Sequence, residues 1–304
     1  MPQYRKIFNA FTLVVTTMMQ QAGAQIPAVS SGKLIRHADF QSNYVTPRHI
    51  DVWLPDGYDG TEKYAVLYMH DGQMLFDSLL TWNHQEWQVD ETLGALMREH
   101  KIQNTLVVAI WNNGADRISE YLPNGIFENV STEIQTDFSQ KYCNNLGAQG
   151  DAYLKFVVEE LKPYIDAHYA TYTDAAHTFM MGSSMGGLIS IHAVVKYPEV
   201  FGGVACLSTA WLSMITPHYE FPMATFTYLI DHLSYSTSKI YMDYGTGESD
   251  ADYETTQSFI NTIIRNKDYP EAHLNFKVFE NDGHNEKAWS GRLAIPLQFL
   301  LQED

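Results

Sequence analysis

Six short apolar runs leave this 304-residue chain few folds to choose from. They are Ala65–Met69, Thr105–Ile110, Thr178–Met181, Gly203–Leu207, Ile240–Tyr244 and Phe276–Phe279. Each is four to six residues long and nearly unbroken by polar residues, as strands covered on both faces are. Helical periodicity falls between or after them, at Val89–Glu99, Tyr153–Tyr169, Leu188–Lys196, Thr255–Arg265 and Glu286–Leu301. A further segment, Arg48–Leu54, alternates like a half-buried strand and ends in the turn Pro55-Asp56-Gly57. Strands alternating with helices predict an α/β fold, with a mostly parallel central sheet and helices on both faces.

The length suits a single domain over residues 25–304, preceded by a leader at residues 1–24. Arg5 and Lys6 give the leader its positive start, Ile7 to Met19 its short apolar stretch, and Ala22-Gly23-Ala24 a small-x-small cleavage pattern. The expectation is export, to a periplasm or beyond the cell, with Gln25 first in the mature chain. No cysteine follows the cleavage pattern, which argues against a lipid anchor, and no stretch of the remaining chain is apolar enough to span a membrane. The formal charge is −17, and the leader carries two of the positive residues. Such a surface repels nucleic acid and favours neutral or cationic partners. Two cysteines, Cys143 and Cys206, are too few for a disulfide framework, though pairing is open; Cys206 lies in an apolar run and reads as a core thiol.

The chemistry starts where the run at Thr178 ends. Gly182-Ser183-Ser184-Met185-Gly186 sets a serine between two glycines, directly between a strand and a helix. A sharp turn of this kind holds the serine Oγ above the sheet, and glycines on either side let the helix pack close to the strand. A serine hydroxyl is a weak nucleophile and needs a base, itself oriented by an acid. Of the histidines downstream, His284 lies in the polar turn Glu280–Glu286 that follows a late strand, where open α/β sheets place ligands. His192 sits in the helix after the serine and reads as packed. For the acid, Glu248 is preferred over Asp250 in the loop Gly245–Asp250, while Asp243 lies within the strand and points into the sheet. Oxyanion donors are expected at the amides of Met185 and Gln73, the latter in the loop His70-Asp71-Gly72-Gln73 after the strand at Ala65. His70 and Asp71 lack the companion ligands of a metal site, and no cofactor is called for.

The sequence resembles the esterase branch of the α/β-hydrolases, which includes enterochelin esterases, feruloyl and acetylxylan esterases, S-formylglutathione hydrolases and mycolyltransferases. The matching blocks are Val66–Gln73 with Leu75-Phe76-Asp77, Arg117-x-x-Glu120-Tyr121-x-Pro123, Gly150–Tyr153 with Glu160–Ile165, Met181–Gly187, Tyr197–Gly202, and Gly283–Glu286 with Trp289. They span nearly all of the mature chain. The resemblance implies Ser184 as nucleophile, His284 as base and the Gln73 and Met185 amides as oxyanion donors. It leaves the acid open, because some relatives lack a well-placed third member.

Together these readings predict an exported, metal-independent serine esterase that forms an acyl-enzyme. Its substrate would be a small-molecule or glycan ester, either an acetyl or feruloyl carbohydrate ester or a siderophore-type ester. An acyltransferase of the same fold and a glycan-binding module with a vestigial site are the alternatives. Six aromatic residues, Trp82, Trp87, Trp111, Tyr121, Trp211 and Trp289, fall near the predicted loops. Trp211, Arg117 and Tyr121 are the expected substrate contacts. The stretch Asn112–Gly150 shows no clear periodicity and is expected to be a long loop at the substrate rim.

Overall fold

The computed structural model describes residues 25–212 and 219–302, so the leader proposed at residues 1–24 lies outside the described residues. Eight strands form one sheet in the order β1-β2-β4-β3-β5-β6-β7-β8. They are β1 Lys33–Phe40, β2 Arg48–Leu54, β3 Ala65–Met69, β4 Thr105–Ile110, β5 Thr178–Ser183, β6 Gly203–Leu207, β7 Lys239–Gly245 and β8 Leu274–Phe279. From β4 to β8 every pairing is parallel, and β1 and β2 add an antiparallel edge. All residues of β3, β4, β5 and β6 are buried, which is why they read as unbroken apolar runs. Edge strand β1 has a mixed, half-exposed pattern and left no such signal.

Helices cover both faces. Val89–Arg98 buries Val89, Leu93 and Leu96, spaced along one stripe, and packs with Ala294–Leu301 over Leu67, Phe179 and Ala205. Each fully buried leucine of this kind contributes about 1.5–3 kcal/mol. The opposite face is covered by Gly150–His168 and Met185–Lys196. The first of these is continuous, but its middle, Phe156–Leu161, is wound as a π-helix just before Pro163, whose nitrogen has no hydrogen to extend the ladder. A helix at Glu220–His232 has no counterpart in the sequence reading.

The stretch Asn112–Gly150 is not the long loop expected. It folds into short helices at Arg117–Glu120 and Asn124–Phe127 and a longer one at Thr132–Tyr142. The last buries only Ile134 and Phe138, four residues apart, so its stripe is too thin for periodicity to reveal. Cys143 and Cys206 are both buried and free.

This topology fixes where a site can form. The connection from β3 to β4 leaves in one direction and that from β5 to β6 in the other, although β3 and β5 are neighbours. A crevice opens at such a switch point, beyond the carboxyl ends of the strands. Met69 pairs with Met181, Ser183 with Leu207, Leu207 with Asp243, and Gly245 with Phe279, so the loops after these strands share one edge.

Candidate active site

Ser184 stands between β5 and the helix Met185–Lys196 with φ 56° and ψ −124°. That left-handed conformation costs a non-glycine residue about 1–3 kcal/mol. The backbone around it is pinned. Its N–H donates to the Leu207 carbonyl at 3.0 Å, and its carbonyl accepts from the amides of Gly187, Leu188 and Ala210 at 3.0, 3.2 and 3.1 Å. The glycines of the motif are required by close approach. A Cβ on Gly182 would lie 2.8 Å from the Gly186 carbonyl carbon and 2.9 Å from the His70 ring.

The loop after β3 lies against this turn. His70 N–H donates to the Met181 carbonyl at 3.0 Å, and the next residue, Asp71, is itself left-handed at φ 56°. The Asp71 carboxylate takes two bonds from Arg117, at 2.6 and 2.7 Å, and one from Asn112 Nδ2 at 2.7 Å. Burial pushes the Asp71 carboxyl up, but Arg117 and Asn112 outweigh it and hold the group below its ordinary value. Gln73 is fixed through its side chain, whose Oε1 accepts from Asn112 N–H at 3.1 Å. The expected oxyanion loop is thus rigid, and it packs on Gly186, next to Met185.

These bonds reassign two expected substrate contacts. The Arg117 guanidinium is engaged by Asp71, and Tyr121 is fully buried with its hydroxyl accepting from the Asp71 amide at 3.3 Å. Both help build the turn, and the Arg117 side chain stays about one-quarter exposed. Trp211 is fully buried too. Its indole N–H donates to Gln257 Oε1 at 2.8 Å, tying the loop after β6 to the helix Glu254–Arg265. Of the six aromatic residues singled out above, Trp82 alone is exposed; the Trp87 and Trp289 rings meet at a tilt of 31°, 5.4 Å apart. His70 is buried, with Nδ1 against the Tyr153 hydroxyl at 2.9 Å. Burial lowers its pKa to about 3, so the ring is neutral and unsuited to act as an accessible base.

In the loops after β7 and β8, His284 Nδ1 lies 2.6 Å from Asp250 Oδ1. The imidazole is about one-fifth exposed and the carboxylate is fully buried. Trp289 meets the ring edge-on at 5.0 Å. This contact favours Asp250, the alternative acid, over Glu248, whose side chain lies outside the described residues. The cause is local. Residues Glu248–Tyr253 coil into a tight helical turn that carries Asp250 back beneath the loop, where Gly245 N–H meets its Oδ2 at 3.0 Å. The loops after β7 and β8 are then zipped together. Thr246 N–H donates to the Phe279 carbonyl at 3.0 Å, Gly247 N–H to Asp282 at 2.9 Å, and Asn281 N–H to Thr246 Oγ1 at 2.9 Å. A Cβ on Gly245 would sit 2.1 Å from the Asp282 carbonyl oxygen, so only glycine allows that approach.

Two residues near Asp250, Ser208 and Arg292, escaped the sequence reading, and Trp289 was noted there only as an aromatic near the loops. Ser208, just past β6, donates its hydroxyl to Asp250 Oδ2 at 2.5 Å. Trp289 and Arg292 both donate to that hydroxyl. The spacing of Trp289 and Arg292, three apart on one helix face, was the one available signal. Asp243 points into the sheet as read, and pairs there with Arg292 at 2.9 Å.

A strained serine at a strand-to-helix turn, on the loop-bearing edge of a parallel sheet that also carries a histidine–carboxylate pair, defines an α/β-hydrolase. The family model described as "Putative esterase" matches residues 43–300, and the chain belongs to that family. Among curated proteins it is 22% identical over 260 residues to the uncharacterized protein YbbA of Bacillus subtilis, covering 83% of this chain and 92% of that one. Among solved structures it is similar to the CE1 ferulic acid esterase AmCE1/Fae1A of Anaeromyces mucronatus, with a TM-score of 0.59, 17% identity, and 91% and 94% of the two chains covered. It is also similar to the enterobactin esterase FES of Shigella flexneri, with a TM-score of 0.63 and 18% identity, where 91% of this chain matches 59% of the other. At these identities the structural likeness speaks for the fold.

Proposed function

We propose that this chain is a serine esterase that works through an acyl-enzyme, with Ser184, His284 and Asp250 as its catalytic set. Ser184 Oγ attacks the ester carbonyl carbon and its proton passes to His284 Nε2. The carbonyl oxygen becomes an oxyanion held by the Gln73 and Met185 amides. Collapse of the tetrahedral adduct breaks the C–O bond, and the alcohol leaves with the proton from His284. Water repeats the sequence on the acyl-enzyme and releases the carboxylic acid and free Ser184. The observation that carries this reading is the 2.6 Å contact between His284 and a fully buried Asp250, on the sheet edge that also bears the strained Ser184.

For substrate, the reading favours an acetyl or feruloyl carbohydrate ester or a siderophore-type ester. Two of the similar structures are named a ferulic acid esterase and an enterobactin esterase, and the acidic chain is unsuited to polyanions. Export after cleavage at Ala24 belongs to the same proposal, and amino-terminal sequencing of the mature protein, expected to begin at Gln25, tests it. Activity is tested with Ser184→Ala on p-nitrophenyl acetate, where the expected loss is about 10⁴-fold or more. Wild-type rates in that variant would overturn the reading. A panel of acetylated and feruloylated oligosaccharides and a catecholate siderophore then separates the substrates.

A further inference from the structure

The hydroxyl of Ser208 has no freedom in where its proton goes. It lies 2.9 Å from Arg292 Nη2 and 3.0 Å from Trp289 Nε1, and both of those groups can only donate. Its two lone pairs are thereby filled, and its one hydrogen is left for Asp250 Oδ2 at 2.5 Å. Gly245 N–H, another obligate donor, reaches the same Oδ2 at 3.0 Å. With both acceptor directions of Oδ2 occupied, Oδ1 is the oxygen left to accept from His284 Nδ1. The imidazole then carries its hydrogen on Nδ1 and keeps the Nε2 lone pair, the form a general base needs.

The chain of donors has a buried anchor. Arg292 Nη2 also donates to Asp243 Oδ1 at 2.9 Å, and both side chains are almost wholly buried. Asp243 accepts in addition from the Tyr241 hydroxyl at 2.9 Å. Asp282 holds Arg292 from its other end at 2.9 Å. Ser208 is itself in the left-handed region, at φ 42°, with its N–H on the Asp243 carbonyl at 2.8 Å. Strain of about 1–3 kcal/mol at a non-glycine residue marks a position that its surroundings over-determine.

We propose that Ser208, fixed by Arg292 and Trp289, is a positioning residue that sets the tautomer of His284 through Asp250. This rests on the esterase reading and specifies how its base is prepared. Arg292 belongs to the same device, because its pairing with Asp243 keeps its donors aimed at the hydroxyl.

The test is a kinetic cycle between Ser208→Ala and the charge-neutral pair Asp243→Asn with Arg292→Gln, which leaves no lone buried charge. Each arm is expected to lower kcat by about 10- to 100-fold with KM little changed. Combined, the two should cost little more than either alone, because both act through one hydroxyl. The acid limb of the pH profile should rise, since a carboxylate with one donor fewer binds the imidazolium more strongly. In proton NMR the low-field His284 Nδ1–H resonance should move in each variant. Additive losses, or an unmoved resonance and pH profile, would overturn the proposal while inactive Ser184→Ala leaves the esterase reading standing. Activity retained in Ser184→Ala would instead sink that reading, and this inference with it. If Ser208→Ala does not fold, the Asp243/Arg292 pair variant carries the resonance and pH tests alone.

Discussion

Replacing Asp250 with asparagine should do more damage to catalysis than its near-identical shape suggests. The Oδ2 position faces two hydrogens, one from Gly245 N–H at 3.0 Å and one from Ser208 at 2.5 Å. An asparagine will therefore turn its carbonyl oxygen to that side and its NH₂ to His284 Nδ1. The imidazole must then accept at Nδ1 and carry its hydrogen on Nε2, where the base's lone pair is needed. Turning the amide the other way opposes NH₂ to a fixed backbone N–H, at about 1–3 kcal/mol for the buried groups left unpaired. The charge-assisted bond to the imidazolium, about 1.5–3 kcal/mol, is lost in either case. Together these predict a rise in the barrier of about 3–6 kcal/mol, a fall in kcat of roughly 10²- to 10⁴-fold. Steady-state hydrolysis of p-nitrophenyl acetate between pH 6 and 9, with melting curves beside it, measures the effect. KM should stay within about threefold and the melting temperature should change little. Rates within fivefold of wild type, or an equal loss from Glu248→Gln, would refute the assignment of Asp250.

Arg117→Met should act on kcat and not on KM, because the guanidinium holds the Asp71 turn. The expected cost is about 1–3 kcal/mol of stability, with kcat down about tenfold or more as Gln73 loses its alignment. Arg117→Lys should recover only part of it, since one ammonium cannot replace two parallel bonds; a rise in KM alone would return Arg117 to the substrate. A separate prediction concerns the acidic cluster of Asp77, Glu86, Asp90 and Glu91. Burial and the neighbouring Glu91, Asp90 and Asp77 raise Glu86 to about 7, and burial with Glu91 raises Asp90 to about 6. A carboxyl raised in the folded state binds more protons there than when unfolded, so stability should fall as pH climbs from about 4.5 to 7. Glu86→Gln should accordingly raise the melting temperature by about 1–3 °C at pH 8 and leave it unchanged at pH 4.5. A gain at the lower pH would reject that account.

The sheet was legible because burial on both faces demands mostly apolar residues along β3 to β6, and composition records that demand directly. Edge strand β1 and the helix Thr132–Tyr142 bury too little to leave the same trace. Ser184 and His284 were legible for a different reason, since glycine spacing and a turn after a strand fix a backbone position. Arg117, Tyr121 and Trp211 were harder to read, because their residue types suit ligands and structural anchors alike. Only the contacts tell the two apart. Asp71 needs a bidentate partner to sit buried and left-handed, and Arg117 is that partner.

The acid shows where sequence reasoning stops. Glu248 and Asp250 lie two residues apart in a loop, and either could meet a histidine if that loop were extended. Choosing between them requires the helical sense of the turn, which Gly245 and Gly247 permit by letting the Asn281-Asp282 backbone come within a distance no Cβ allows. It also requires a buried cradle of donors, supplied by Gly245, and by Ser208 under the hold of Arg292 and Trp289. Those groups come from the ends of two different strands, β6 and β7, and from the helix Glu286–Arg292 after β8. A carboxylate without such a cradle would face a desolvation cost that drives it to protonate, and would cease to orient the imidazole. The proposed acid is thus distinguished by its surroundings and not by its place in the loop.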